Sequence, residues 1–255
     1  MSRFRVARTA AVLATLVAAA PVPAFTILAV GDSITAGIVK SGRGGAHPAE
    51  RDPEGGYPAR LAVLLAPDAP DARVVARGAG GASTGFWLDA FPTDPKTARA
   101  FLENLWPDFH PNRDPRAGEN ALSYVLDSDR PDLVLVFVGI NDLMEHKKDP
   151  GGPASGPVAE RIAAIVRGAR TPTRPALVGT LLRNRRDAAA VIAAVNERLV
   201  ALEPDAVRLD QAFEKAGGIA LLGDEVHPDV RGQAVIARAF ADTLRARHLV
   251  PSRQR

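Results

Sequence analysis

The chain has 255 residues, 46% of them hydrophobic, with no cysteine, which excludes disulfides and thiolate metal sites and leaves enough apolar material for one sizeable core. Its 32 basic and 29 acidic residues give a net charge of +3, but the first 24 residues hold Arg3, Arg5 and Arg8 and no acid. The remaining about 231 residues are therefore balanced at 29 against 29, and no basic stripe interleaved with aromatics points to nucleic acid.

The predicted elements begin with a leader. After the three arginines, Thr9 to Ala20 is almost entirely small and apolar, and Val22-Pro23-Ala24 offers a small-residue cleavage site. This is the layout of a secretory signal peptide over residues 1–24, too short in its apolar part for a membrane span. The expectation is export to the periplasm or the medium, no stable membrane insertion after cleavage, and a single domain over 25–255.

Along that domain, apolar β-branched runs alternate with amphipathic stretches, the pattern of an α/β domain with a parallel sheet. Strands are predicted at Phe25–Val30, Arg73–Ala76, Leu133–Val138, Ala176–Thr180 and Val207–Leu209. The continuous run Leu133-Val134-Leu135-Val136-Phe137-Val138 suits a central strand covered on both faces. Helices are predicted at Pro58–Leu65, Gly118–Leu126, Val158–Arg170, Asp187–Glu203 and Pro228–Arg247, the last with Pro228 at its first position. Ser41–Gly56 and Pro92–Arg116, rich in Pro, Gly and charge, read as loops that either build specificity or are solvated insertions without a substrate role, and Asp149–Pro157 as a connector.

Four short segments at the ends of these runs hold the parts of an acyl-transfer site: Gly31-Asp32-Ser33, Gly78-Ala79-Gly80-Gly81, Gly139-Ile140-Asn141-Asp142 and Asp224-Glu225-Val226-His227-Pro228. Ser33, at a strand-to-helix turn, has the chemistry of a nucleophile with a helix N-terminus beneath it. On its own it would read as a helix cap. His227 has carboxylates in its own loop, Asp224 and Glu225, either of which is a candidate to fix its tautomer. The other histidines, His47, His110, His146 and His248, lack such a setting. Asn141 offers a side-chain amide, and the glycines offer backbone N–H groups, to an oxyanion. Asp32 and Asp142 read as carboxylates that accept backbone N–H bonds and hold their turns.

The nucleophile near the start, with acid and base three residues apart near the end, resembles the GDSL serine esterases and lipases, also called SGNH hydrolases. The resemblance spans Ile27 to about Ala237. It implies a three-layer α/β/α sandwich with a five-stranded parallel sheet in flavodoxin-like order 2-1-3-4-5. It assigns Ser33, Asp224 and His227 as the catalytic triad, and Ser33, Gly81 and Asn141 as the oxyanion hole, with no cofactor and no metal. One departure stands out: the family often has asparagine at the head of the glycine segment, where this chain reads Val75-Ala76-Arg77-Gly78, so the support of that loop is in question.

The expected activity is hydrolysis of small-molecule or glycan esters, either short-chain or carbohydrate O-acetyl. Lysophospholipase, thioesterase and acyltransferase activity are alternatives within the family, and an inactive glycan-binding domain is the alternative from another class. Phe86, Trp87, Phe91, Phe101, Leu105 and Trp106 either line an apolar pocket or pack beneath a loop. No phosphate-loop or dinucleotide glycine spacing is present, and nothing in the sequence sets the oligomeric state.

Overall fold

The computed structural model describes residues 24–42, 48–146, 156–187 and 189–251, leaving aside the side chains of 144–146 and 156. The leader through Pro23, His47, the His146 side chain and most of the 149–157 connector lie outside the described residues.

The strands form where the apolar runs are. Strand β1 is Thr26–Gly31, and Ile38–Lys40 and Glu50–Arg51 form a small antiparallel pair, β2 and β3. Helix α1 is Gly56–Leu65 and β4 is Arg73–Gly78. Then come α2 (Thr84–Leu88), α3 (Pro95–Leu105), α4 (Ala121–Asp129) and β5 (Leu133–Phe137). The chain continues through α5 (Ile140–His146), α6 (Gly156–Ala169), β6 (Ala176–Val178), α7 (Ala189–Leu202), α8 (Leu209–Ala216) and α9 (Val230–Ala246).

The main sheet has the order β4-β1-β5-β6, all parallel. A fifth strand exists only as one parallel bridge, Gly179 to Val207, made by Val207 N–H to Val178 O at 2.7 Å and Thr180 N–H to Val207 O at 3.0 Å. The order is the expected 2-1-3-4-5 with its last strand cut to a single residue. Pro204 closes α7 on one side and α8 starts at Leu209 on the other, leaving no length for a longer ladder.

Both faces of the sheet are covered, which gives the three layers. Leu28, Val30, Val134 and Val136 pack on one face against Trp87, Leu102, Val125, Ile162 and Val195 of α2, α3, α4, α6 and α7. Their alternating neighbours Ile27, Ala29, Leu133 and Leu135 pack on the other face against Leu61, Phe213, Ile236 and Phe240 of α1, α8 and α9. The period of two in a strand sends successive side chains into opposite cores, and every residue of β1 and β5 is buried.

Several helices begin at side-chain caps that fix their starts. Asp94 accepts from Lys96 N–H and Thr97 N–H, both at 3.1 Å, and with Pro95 in the first turn starts α3 inside the segment read as a loop. Asn120 accepts from Ser123 N–H at 2.9 Å, which moves the start of α4 past Gly118. Asp229, accepting from Gly232 N–H at 2.9 Å, caps α9, so Pro228 precedes the helix instead of opening it.

Candidate active site

Ser33 does not stand at a helix N-terminus. It follows β1 on a single turn closed by Ala36 N–H to Asp32 O at 3.0 Å and Ile38 N–H to Ser33 O at 2.9 Å, and the chain then enters β2. The turn sits tightly on its neighbours. A Cβ on Gly31 would lie 2.4 Å from Phe137 O, and one on Gly78 would lie 2.1 Å from Ala36 N. Gly78 is therefore the close-packed end of β4. Inside the turn, Asp32 accepts from Ile34 N–H at 2.9 Å, and Thr35 Oγ1 lies 3.1 Å from the Tyr57 hydroxyl.

His227 reaches this turn from 194 residues away. The segment 222–228 folds back on itself through the Leu222–Pro228 bridge and Gly223 N–H to His227 O at 2.9 Å. Arg185 holds it from behind: its backbone N–H donates to Glu225 O at 2.8 Å, and its guanidinium donates to Asp224 O and Ile219 O, each at 2.7 Å. The ring then spans two partners. Nε2 is 2.8 Å from Ser33 Oγ, and Nδ1 is 2.9 Å from Asp224 Oδ2. Both Ser33 and His227 are less than one-tenth exposed.

Asp224, not Glu225, is the carboxylate at the ring; Glu225 is exposed at the edge of the cleft. Burial works to raise the Asp224 carboxyl. Backbone N–H donors from His227 (2.7 Å), Ser41 (2.7 Å) and Val226 (2.8 Å), joined by the His227 ring, outweigh it and hold the group far below the usual carboxylate range.

The donors meet from two other strand ends. Asn141, the second residue of α5, gives one amide hydrogen to Ala82 O at 2.9 Å, which leaves the second for a ligand. Gly81 has φ +77, and a Cβ there would meet nothing within 4 Å. Glycine is needed for the left-handed backbone, not to relieve a clash within the protein. Among the described residues, none accepts from the Ser33 or Gly81 N–H. Asp142 ties these parts together by accepting from Thr84 N–H at 2.9 Å and from the Thr84 hydroxyl, so α2 and α5 are joined just past the glycine segment.

That segment has its own support in place of the family's asparagine. Trp106 Nε1 donates to Gly78 O at 2.9 Å. Arg77, 2% exposed, makes a two-pronged pair with Asp129 at 2.8 and 2.9 Å, and its third nitrogen reaches Asp108 at 2.7 Å. Ala76 is spared the task.

These groups line one cleft of about 710 Å³, which takes in Ser33, Gly81, Asn141, Asp224 and His227. It lies at the carboxyl ends of β1, β4 and β5, where open parallel sheets hold their ligands. Lys40, Ser41 and Arg186 add polar lining. Ser41 passed unnoticed in the sequence because nothing near it marks a site. Of the aromatic candidates, Trp87 and Trp106 stack in the core at 6.0 Å, while Phe86, Phe91 and Phe101 line a separate apolar pocket.

Sheet, covering helices and cleft together make a three-layer α/β/α fold with its cleft at the carboxyl ends of the parallel strands. Residues 29–235 match the GDSL-like lipase/acylhydrolase family, and the chain belongs to it: it is a carboxylic ester hydrolase. Among solved structures, the acetylxylan esterase Axe2 from Geobacillus stearothermophilus is similar with TM-score 0.52 and 22% identity, over 86% of this chain and 94% of that one. LAE5, an alpha/beta hydrolase enzyme from the metagenome of Lake Arreo, Spain, gives TM-score 0.53 at the same identity and coverage. At this identity the likeness is one of fold. No curated protein matches the chain.

Proposed function

We propose that the chain is an exported serine esterase that removes short acyl groups, carbohydrate O-acetyl groups among them, through an acyl-enzyme on Ser33. The observation that carries the reading is the unbroken line from Ser33 Oγ through both nitrogens of His227 to Asp224. Ser33 Oγ attacks the acyl carbon as its proton passes to Nε2. The Ser33 and Gly81 N–H groups and the second Asn141 amide hydrogen receive the oxyanion. The Nε2 proton then goes to the departing alcohol oxygen as its bond to carbon breaks. Water, losing a proton to the same nitrogen, then attacks the acyl carbon; the bond to Ser33 Oγ breaks as Nε2 returns the proton to that oxygen, and the acid leaves. Asp224 stays ionised throughout, orienting the ring and balancing the imidazolium.

The cleft lining favours a small acyl group. Among the described residues its apolar side chains are Ile38, Ala49 and Val226, too few to gain much from a long chain at about 0.8 kcal/mol per buried methylene. Lys40, Ser41, Arg186 and Glu225 suit a hydroxylated alcohol part, and the likeness to an acetylxylan esterase agrees with that. A longer-acyl reading, as lysophospholipase, thioesterase or acyltransferase, draws support from the pocket of about 610 Å³ lined by Phe86, Phe91, Pro92 and Phe101. That pocket shares no lining residue with the cleft.

Ser33→Ala is expected to abolish both ester hydrolysis and covalent labelling by a fluorophosphonate, with the thermal transition kept. Rates on p-nitrophenyl esters are expected to fall as the chain lengthens past a few carbons, and acetylated glycans to release acetate. A wild-type protein that neither labels nor hydrolyses any ester would refute the mechanism. Rates that rise with chain length would favour the second reading. For export, the leader composition is the support, and N-terminal mass spectrometry of the protein from its native source is expected to find Phe25 or a near neighbour first. An intact Met1 on protein recovered from the cytoplasm would rule it out.

A further inference from the structure

Ser41 follows β2, and its place is fixed from two sides. Strand β2 pairs with β3 through Ile38–Arg51 and Lys40–Glu50. It also runs against the His227 segment so closely that a Cβ on Gly223 would lie 2.2 Å from Val39 O. At the end of this strand the Ser41 backbone N–H donates to Asp224 Oδ2 at 2.7 Å, and the Ser41 hydroxyl lies 3.2 Å from His227 Nδ1. Oδ2 is the same oxygen that faces Nδ1 at 2.9 Å. Three groups thus close a triangle on the side of the ring away from Ser33.

We propose that Ser41 is a positioning residue for ester hydrolysis, its N–H fixing the Asp224 oxygen and its hydroxyl sharing the Nδ1 proton of His227. The inference rests on the Ser33 esterase reading. For Nε2 to accept the Ser33 proton, Nδ1 must carry its own hydrogen, so toward Nδ1 the Ser41 hydroxyl can only accept. It gives the ring a second acceptor beside Asp224, and that contact strengthens when the imidazolium forms. Ser41 also lines the cleft, so it stands between the cleft and the base.

Among the described residues, the charged groups about the ring are Asp224 and Glu225 on its own segment, Lys40 on β2, and Arg185 and Arg186 after β6. Lys40 is paired with Glu50 at 3.2 Å. Ser41→Ala alters none of them and keeps the backbone N–H.

The test measures kcat and KM on p-nitrophenyl acetate across pH for wild type, Ser33→Ala, Ser41→Ala and Ser41→Thr, with melting temperatures alongside. Wild-type activity lost in Ser33→Ala tests the esterase reading by itself. With that in hand, Ser41→Ala is expected to lower kcat about tenfold, the scale of a hydrogen bond to a charged partner, with KM within about twofold. The acidic limb of its kcat/KM profile should move to lower pH, because an acceptor that favours the imidazolium is gone. Ser41→Thr, which keeps the hydroxyl, should recover most of the rate. If Ser41→Ala keeps both kcat and the acidic limb, the hydroxyl has no such part and the proposal fails while the esterase reading stands. A loss of rate that follows a lower melting temperature, with the limb unmoved, would equally overturn it. A wild type without esterase activity would remove both.

Discussion

Asp32, beside Ser33, is 2% exposed and bonds to Ile34 N–H. Burial pushes its carboxyl up from 3.8 to about 7, and the nearby Asp142 charge adds to this; Ile34 N–H and Arg186 pull the other way. The consequence for stability has a definite sign. Below about pH 4 the carboxyl is protonated in both folded and unfolded chains. As pH rises toward 7 the unfolded chain ionises first, so the stability that the raised folded value confers is lost across this window and stays lost above it. A rise from 3.8 to about 7 corresponds to about 4 kcal/mol at full ionisation. Asp32→Asn, which can still accept from Ile34 N–H, is expected to flatten the fall. The measurement is the urea midpoint of both proteins from pH 4 to 8. Parallel decline of the two would show that Asp32 is not the group responsible.

At the scale of elements, what the sequence made legible was what it encoded locally. The β1 and β5 runs are apolar at every position, so their place in the middle of a covered sheet could be read directly. Ser33, Asn141 and His227 each stand at the end of such a run or in a marked loop, and the structure brings them to one cleft. The two misses at the cleft share a cause: the partner was remote. Whether Ser33 leads into a helix or a strand depends on Ile38–Lys40 finding Glu50–Arg51, a pairing too short to leave a pattern. The contact of Ser41 with His227 spans 186 positions and has no local trace. Helix α3 is different, since Asp94-Pro95 is a readable cap that the surrounding prolines and charges masked.

Across the whole molecule, the two cores lie on opposite faces of the sheet, so the cleft depends on how firmly each strand end is tied to the helices beyond it. For β4 the tie is Arg77. Its guanidinium sits over the rings of Phe109 and Trp106 at 4.9 and 5.6 Å while pairing with Asp129 and Asp108. Burial alone would lower its pKa; the two carboxylates outweigh that and keep it charged. Asp108 is largely exposed and adds little, but the Asp129 side chain is only 11% exposed. Arg77→Met would therefore fill the space and leave one carboxylate without its partner, the situation that costs about 3–5 kcal/mol when a buried pair is broken on one side. At about 2–4 °C per kcal/mol for a domain of this size, the melting temperature should drop by roughly 6–20 °C. Arg77→Met with Asp129→Leu removes both charges and should regain most of the loss, because an apolar pair of similar volume is often as stable as a buried ion pair. Thermal unfolding of the two variants decides it. If the double variant melts no higher than Arg77→Met alone, the guanidinium acts through its contacts with Trp106 and Phe109, and the ion pair is not what ties β4 to α4.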